Sequence, residues 1–270
     1  MTTTTTTTTS GAVATAKAGT TAPGRLAALG RAELTLLVRN RTALFVAMLM
    51  PVGMVGVLRS SLGGLDGTEV DVNDALLTGG MGMVLILVVY LNLTSAFTAR
   101  REELVLKRLR TGEVSDLEIL AGTALPAAAV ALAQCALLLV AGVALLDADG
   151  PRRPELLVAG LLMGTVLMTA LAAATSAVTR TVESAQITTM PLFLISAFGS
   201  GLFLPLEVLP DRIASVCQLL PMTGVMRLVQ AGLEGGADAT ELAGVAVNAL
   251  AWSVISVFAV RRWFRWEPRR

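Results

Sequence analysis

Histidine is absent from this sequence of 270 residues, cysteine occurs only twice, and charged residues make up only 15%. Without histidine, the chain lacks both the commonest general base and the commonest metal ligand of proteins. Cys135 and Cys217 are far apart in the sequence and indicate neither a disulfide framework nor a metal site. The composition therefore argues against most hydrolytic and metal-dependent chemistries.

A glycine-rich phosphate loop ending in Lys-Ser or Lys-Thr is also missing from the sequence. The chain thus lacks the usual backbone nest for a nucleotide, and any dependence on ATP would require another subunit. No Asp or Glu is clearly placed inside an apolar block, which argues against a proton-driven antiporter. No interior basic patch is interleaved with aromatic residues, so nucleic acid is not an expected partner. We expect a non-catalytic chain that binds no cofactor directly.

Apolar residues, by contrast, make up 54% of the chain and arrive in long blocks. About 20 consecutive apolar residues in a helix cross the roughly 30 Å of bilayer hydrocarbon. Six blocks approach or exceed that length, at residues 43–58, 75–99, 119–146, 156–178, 187–206 and 242–260. The sequence therefore predicts an all-α, polytopic membrane protein with about six transmembrane helices.

The segment between the fifth and sixth blocks, residues 207–240, is apolar in part but is interrupted by charges and prolines. Such a segment cannot form a full span, although its apolar side chains still require burial. We therefore predict an external re-entrant hairpin. The residues chosen to mark it are Phe203, Pro205, Pro210 and Pro221.

Outside the blocks, residues 1–22 are rich in threonine and are expected to form a disordered cytoplasmic tail. Leucines alternate with arginines at helical spacing in residues 23–41, which favours an interfacial amphipathic helix, with a solvated helix as the alternative. The transmembrane domain is expected to cover residues 23–266, followed by a cytoplasmic tail at 267–270.

Basic residues indicate the orientation. If the spans alternate, most arginines and lysines lie on one side of the membrane, including those at 100–110 and 261–270. The side richer in Lys and Arg is cytoplasmic. We therefore expect a multi-pass protein of the cell membrane with both termini in the cytoplasm.

The most informative cytoplasmic segment is residues 100–115, which read RREELVLKRLRTGEVS and join the second and third blocks. Leucines and a valine line one face of a possible short helix, and acidic and basic residues crowd the others. A charge run of this kind is more often a solvated loop that anchors the topology.

Together with FLPLEVLP at 203–210 and LPMTGVMRLV at 220–229, this segment resembles the permeases of type-2 ABC exporters, over nearly the whole span region. The resemblance implies a second permease copy or paralogue, P-loop ATPase subunits that bind ATP and Mg²⁺, and a drug-like, antibiotic or lipid-type substrate. It also implies that the cytoplasmic helix couples the ATPase to the spans. The coupling residues would be Arg101, Glu102, Glu103, Lys107, Arg108 and Arg110.

Polar residues inside the spans have two readings, hydrogen bonding between helices or lining of a substrate path. The candidates for a path are Asn92, Thr94, Ser95, Thr188, Thr189 and Ser196. Gly160 and Gly164 are four residues apart and predict close helix packing. The alternative function is a secondary transporter or a membrane assembly factor that needs no ATPase, and an intramembrane enzyme ranks third.

Overall fold

The computed structural model describes residues 72–103, 116–145, 148–202 and 210–263, with isolated helical residues between 35 and 57. The predicted threonine-rich tail, the C-terminal tail and residues 104–115 lie outside the described residues. So do the predicted interfacial helix and the first predicted span, apart from those isolated positions.

The described residues form helices and no strand, which confirms the all-α prediction. The first long helix consists of α1, a π-helical segment and α2, in one continuous run. Their bounds are α1 Val72–Val84, the π-helical segment Leu85–Leu91, α2 Asn92–Glu102, α3 Asp116–Leu145, α4 Pro154–Val178, α5 Val182–Gly199, α6 Asp211–Gln218, α7 Pro221–Glu234 and α8 Ala239–Trp263.

Four of the described helical runs are long and apolar enough to cross a membrane, at Asn73–Glu102, Glu118–Ala144, Pro154–Val178 and Ala239–Arg262. They coincide with the second, third, fourth and sixth apolar blocks. The fifth block coincides with α5, which has 18 residues and begins before the block does. The protein is therefore a multi-pass membrane protein.

The core lies where the first long helix meets α4 and α7. Side chains along the first long helix, among them Leu77, Leu85 and Phe97, are fully buried there. Helix α7 contributes Met222 and Val229 to the same cluster. Interior contacts thus connect the second predicted span to the second helix of the hairpin.

Glycines allow α4 and α7 to approach each other closely. A Cβ atom at Gly160 would lie 3.1 Å from the backbone nitrogen of Val229, and one at Gly232 would lie 2.5 Å from the backbone nitrogen of Leu157. A Cβ at Gly164 would lie 2.7 Å from Val225. Because a Cβ atom at these positions would lie closer than ordinary van der Waals contact, the structure confirms the predicted close packing at Gly160 and Gly164.

The described part of residues 207–240 contains two helices, α6 and α7, joined at a sharp bend. Helices α6 and α7 meet at an angle of 87° across a break of a few residues. Most of α7 is buried, whereas Ile213 and Val216 on α6 are exposed. The two helices thus form a sharply bent pair, a geometry that fits either a broken span or the predicted re-entrant hairpin.

Large apolar side chains are exposed along α5 and α8, for example Ile187, Phe198, Val254 and Phe258. Only 11% of the apolar window of α8 is buried within the protein. Soluble monomers rarely expose continuous apolar surface of this kind. Lipid or the apolar surface of another protein is the environment that suits these two helices.

Candidate functional site

Arg101, in the last turn of α2, is 1% exposed and points into the protein. Its Nη1 donates a hydrogen bond to the carbonyl oxygen of Ser176 at 2.6 Å, and its Nη2 donates to the carbonyl oxygen of Thr179. Both carbonyls belong to the C-terminal end of α4, where the last carbonyls have no partner within the helix and carry partial negative charge. The guanidinium therefore caps α4, because it supplies both hydrogen-bond donors and a positive charge to the last carbonyl groups of that helix.

Arg100 contacts a different helix. Its Nη1 donates to Oγ1 of Thr123 on α3 at 3.1 Å, and Thr123 in turn donates to the carbonyl oxygen of Ile119 at 2.9 Å. We call Arg100, Arg101 and their acceptors on α3 and α4 the arginine clamp. The clamp joins the ends of three helices immediately before residues 104–115, and we call this end of the bundle the clamp end.

Glu102 and Glu103 follow the clamp and are exposed. The backbone N–H of Glu103 donates to the carbonyl oxygen of Ala99 at 2.9 Å and closes the last turn. The six residues predicted to couple to an ATPase therefore divide into three groups. Arg101 is inside the bundle, the two glutamates are on its surface, and Lys107, Arg108 and Arg110 lie outside the described residues.

Hydroxyl groups continue from the clamp into the interior between α2 and α4. Thr98 donates to the carbonyl oxygen of Thr94 and Thr94 to that of Tyr90, both at 2.8 Å. Tyr90 Oη lies 3.2 Å from Thr175 Oγ1 on α4. Sequence reasoning missed Tyr90 and Thr175, although a tyrosine in the middle of an apolar block is a visible signal.

The six residues proposed to line a path lie on α2 and α5, which pack against each other. Thr188 donates to the carbonyl oxygen of Ser184 at 2.8 Å and Thr189 to that of Ala185 at 2.9 Å, so each bonds within its own helix. Ser196 is buried, Ser95 is half-buried and Asn92 is exposed. Thr94, as described above, also bonds within its helix. These three threonine hydroxyls thus bond within their own helices rather than to a neighbouring helix.

The other end of the bundle, which we call the hairpin end, contains the break between α6 and α7. Nδ2 of Asn248 donates to the carbonyl oxygen of Gln218 at 2.6 Å, and Nε1 of Trp252 donates to that of Leu219 at 2.7 Å. Both donors are on α8, one turn apart, so α8 caps the exposed end of α6. The sequence alone did not indicate that Asn248 or Trp252 contacts α6.

Of the four hairpin residues predicted, two are described. Pro210 precedes α6 and is exposed, and Pro221 begins α7 and is buried. A proline in the first turn of a helix loses no hydrogen bond, because that N–H has no acceptor within the helix. Phe203 and Pro205 lie outside the described residues.

Among the described residues, no group of three or more His, Cys, Asp or Glu side chains is placed to hold a metal ion. Comparison with protein families finds a match over most of the chain. The family model described as ABC-2 type transporter matches residues 25–233, which is most of the chain and includes the arginine clamp and α7. No curated protein matches the sequence.

Proposed function

The chain belongs to the ABC-2 type transporter family, the permease components of type-2 ABC transporters, and from this premise we propose that it is the transmembrane subunit of an ATP-driven exporter. It would pair with a second permease copy or paralogue and with separate P-loop ATPase subunits, which bind ATP and Mg²⁺. The chain itself would translocate the substrate and would catalyse no reaction. The proposed substrate is drug-like, an antibiotic or a lipid, moved outwards.

The arginine clamp is the observation that best supports coupling. A displacement of residues 104–115 by a partner would pull on α2, and Arg100 and Arg101 would carry that pull to α3 and α4. Hydrogen bonds to a charged donor are short and directional, so they transmit a displacement better than apolar contacts do. The exposed Glu102 and Glu103 are the described residues from which a partner would act on the clamp.

The proposed orientation places the clamp end and both termini in the cytoplasm. Arg261 and Arg262, in the last turn of α8, are exposed near the same side and support it. Helix α6 would then lie in the outer leaflet, with Ile213, Val216 and Leu219 towards lipid. In that position the hairpin would act as a lid on the exit between two permeases.

Coupling is tested by reversing Glu102 and Glu103 to Lys and measuring membrane abundance, co-purification of the ATPase and efflux in the same cells. We expect normal abundance with loss of ATPase association and of efflux, because a lost interfacial charge pair costs about 2 to 5 kcal/mol where it is buried and much less at a rim. The matched control reverses Asp149 and Glu155, which are exposed at the opposite end.

Normal efflux with the double reversal at full abundance would remove both glutamates from the coupling role. Loss of the double variant from the membrane would instead favour the alternative in which residues 100–115 form a loop that anchors the topology. If no P-loop ATPase co-purifies with the wild-type protein, the secondary transporter or assembly factor becomes the better reading.

Orientation is tested by single-cysteine labelling in a background without Cys135 and Cys217, both of which are buried. A cysteine at Leu106 should be labelled only from the cytoplasm and one at Asp238 only from outside. External labelling at Leu106 would refute the proposed topology. A scan of residues 213–220 that finds every position exposed to water would refute the lid.

A further inference from the structure

A cavity of about 200 Å³ lies at the hairpin end between α6, α7 and α8. Most of its lining is polar, although it is formed by helices that are otherwise apolar. The lining includes Gln218, Thr223, Arg227, Glu241, Gly244 and Asn248. Neither the coupling role nor the clamp uses any of these residues.

Two glycines explain why this space is open. At Gly224 a Cβ atom would lie 2.9 Å from the carbonyl oxygen of Val245, so α7 and α8 are in contact there. Gly244 directly precedes Val245 on α8, and a Cβ atom there would meet no described atom within 4 Å. Helices α7 and α8 thus touch at Gly224 and Val245, and Gly244 beside them leaves a space at the cavity that a larger side chain on residue 244 would enter.

The polar groups of the cavity are suited to both an anion and a cation. Oδ1 of Asn248 is buried and has no hydrogen-bond partner among the described residues, so it is an acceptor that a ligand's donor would satisfy. Glu241 adds an exposed carboxylate. Arg227 donates to Oε1 of Gln230 at 3.5 Å and has a further interaction, and its five N–H donors allow it to bind an oxyanion in addition.

The position of the cavity along α8 suits the surface of a membrane. Helix α8 has 25 residues and is longer than the roughly 30 Å of hydrocarbon, so its first turn reaches the headgroup region. Glu241 is in that turn, and Asn248 is about 10 Å deeper at the helical rise per residue. Leu219 and Val247, next in sequence to the lining residues Gln218 and Asn248, are 69% and 65% exposed.

We propose that this cavity binds the headgroup of a phospholipid that carries both a phosphate and an ammonium group. The phosphate contacts Arg227, the ammonium group donates to Oδ1 of Asn248, the carboxylate of Glu241 at the rim attracts its positive charge, and the acyl chains lie along the apolar surface at Leu219 and Val247. A volume of 200 Å³ equals that of about seven water molecules in the liquid, which suits a headgroup and is small for a drug-sized ligand. This inference does not depend on an ATPase partner.

The test uses the full-length protein, purified in detergent and depleted of lipid, with native mass spectrometry as the readout. Dioleoyl phosphatidylethanolamine, which has the ammonium group, and dioleoyl phosphatidylglycerol, which lacks it, are added separately. We expect the wild type to retain about tenfold more of the first lipid. Gly244→Leu should remove that preference by filling the cavity, and Ala243→Leu, an exposed neighbour on α8, should keep it.

Equal retention of the two lipids by the wild type, or an unchanged preference in Gly244→Leu, would overturn the proposal. If Gly244→Leu does not fold, Glu241→Gln at the exposed rim replaces it and should likewise abolish the preference. Free phosphoethanolamine distinguishes the source of the headgroup. Its binding, with the same sensitivity to Gly244→Leu but without retention of the lipid, would show that the ligand is a soluble aminoalkyl phosphate and would refute the lipid assignment.

Discussion

The clamp end and the hairpin end hold their helices together by different forces. At the clamp end, Arg100 and Arg101 donate hydrogen bonds to acceptors on two other helices. At the hairpin end, Gly160 and Gly232 bring α4 and α7 into backbone contact, and the polar cavity lies between α6, α7 and α8. One end therefore depends on charge and direction, and the other depends on volume. Substitutions that change only one of these properties should discriminate between the ends.

The largest effect is expected from Arg101→Leu. The substitution leaves the carbonyls of Ser176 and Thr179 buried without their donor, at a cost of about 3 kcal/mol in the free energy of unfolding. Thermal unfolding in detergent measures stability, and efflux in cells measures function. Arg180→Leu is the matched control, because Arg180 is at the same end but exposed. An equal loss in both variants would show that the clamp has no special role.

Gly232→Ala should lower the free energy of unfolding by a smaller amount, about 1 to 3 kcal/mol, because the new methyl group would lie 2.5 Å from the backbone nitrogen of Leu157. Gly244→Ala should instead raise the free energy of unfolding. Its methyl group enters the cavity, and alanine is a better helix former than glycine by about 0.5 to 1 kcal/mol. Thermal unfolding of the two variants side by side checks this. Destabilisation by both would contradict volume as the controlling property at this end.

Trp252→Phe sharpens the comparison, because it removes a directional contact from the end that otherwise depends on volume. Loss of the bond from Nε1 to the carbonyl oxygen of Leu219 should cost about 1 kcal/mol. Hydrogen exchange at residues 218–220 should then be about fivefold faster. Ser253→Ala should leave exchange unchanged, because that hydroxyl bonds within its own helix. Unchanged exchange in Trp252→Phe would mean that α8 does not hold the break.

The smallest effect is expected from pH at Asp238, which precedes α8. The hydroxyl of Thr240 and the backbone N–H of Ala239 donate to its carboxylate and lower its pKa below the ordinary value of 3.8. A lowered pKa stabilises the folded state above the unfolded pKa, and this contribution is lost as pH falls through the folded pKa. The thermal midpoint of the wild type should therefore fall more between about pH 6 and about pH 3 than that of Asp238→Asn. An equal fall of the thermal midpoint in the wild type and in Asp238→Asn would contradict this prediction.

Sequence reasoning located the spans well, because the length of an apolar run is itself the requirement for crossing a membrane. The block at 156–178 differs from α4 by only two residues at its start. The block at 187–206 began five residues after α5 does, because the first turn of α5 is polar. There Thr181 and Ser184 cap each other, which stabilises a helix start without any apolar residue.

The candidate site was predicted less well. Arg101 was chosen with Glu102 and Glu103 as one charged surface, and the structure places Arg101 inside the bundle. Its acceptors are 75 and 78 residues further along the chain, so no local pattern identifies them. Likewise, the capping of Gln218 and Leu219 by α8 depends on residues about 30 positions away.

By itself the sequence determined that this chain is helical, spans a membrane several times and breaks its last connection into a hairpin. Those properties are local, because hydrocarbon offers no partner to the backbone and each span must satisfy its hydrogen bonds within itself. Only the tertiary structure decided which polar side chains face one another. Arg101 caps α4 and Asn248 lines a cavity because helices that are distant in the sequence lie next to each other there. The packing of the helices decides these contacts, and the composition of a single helix does not.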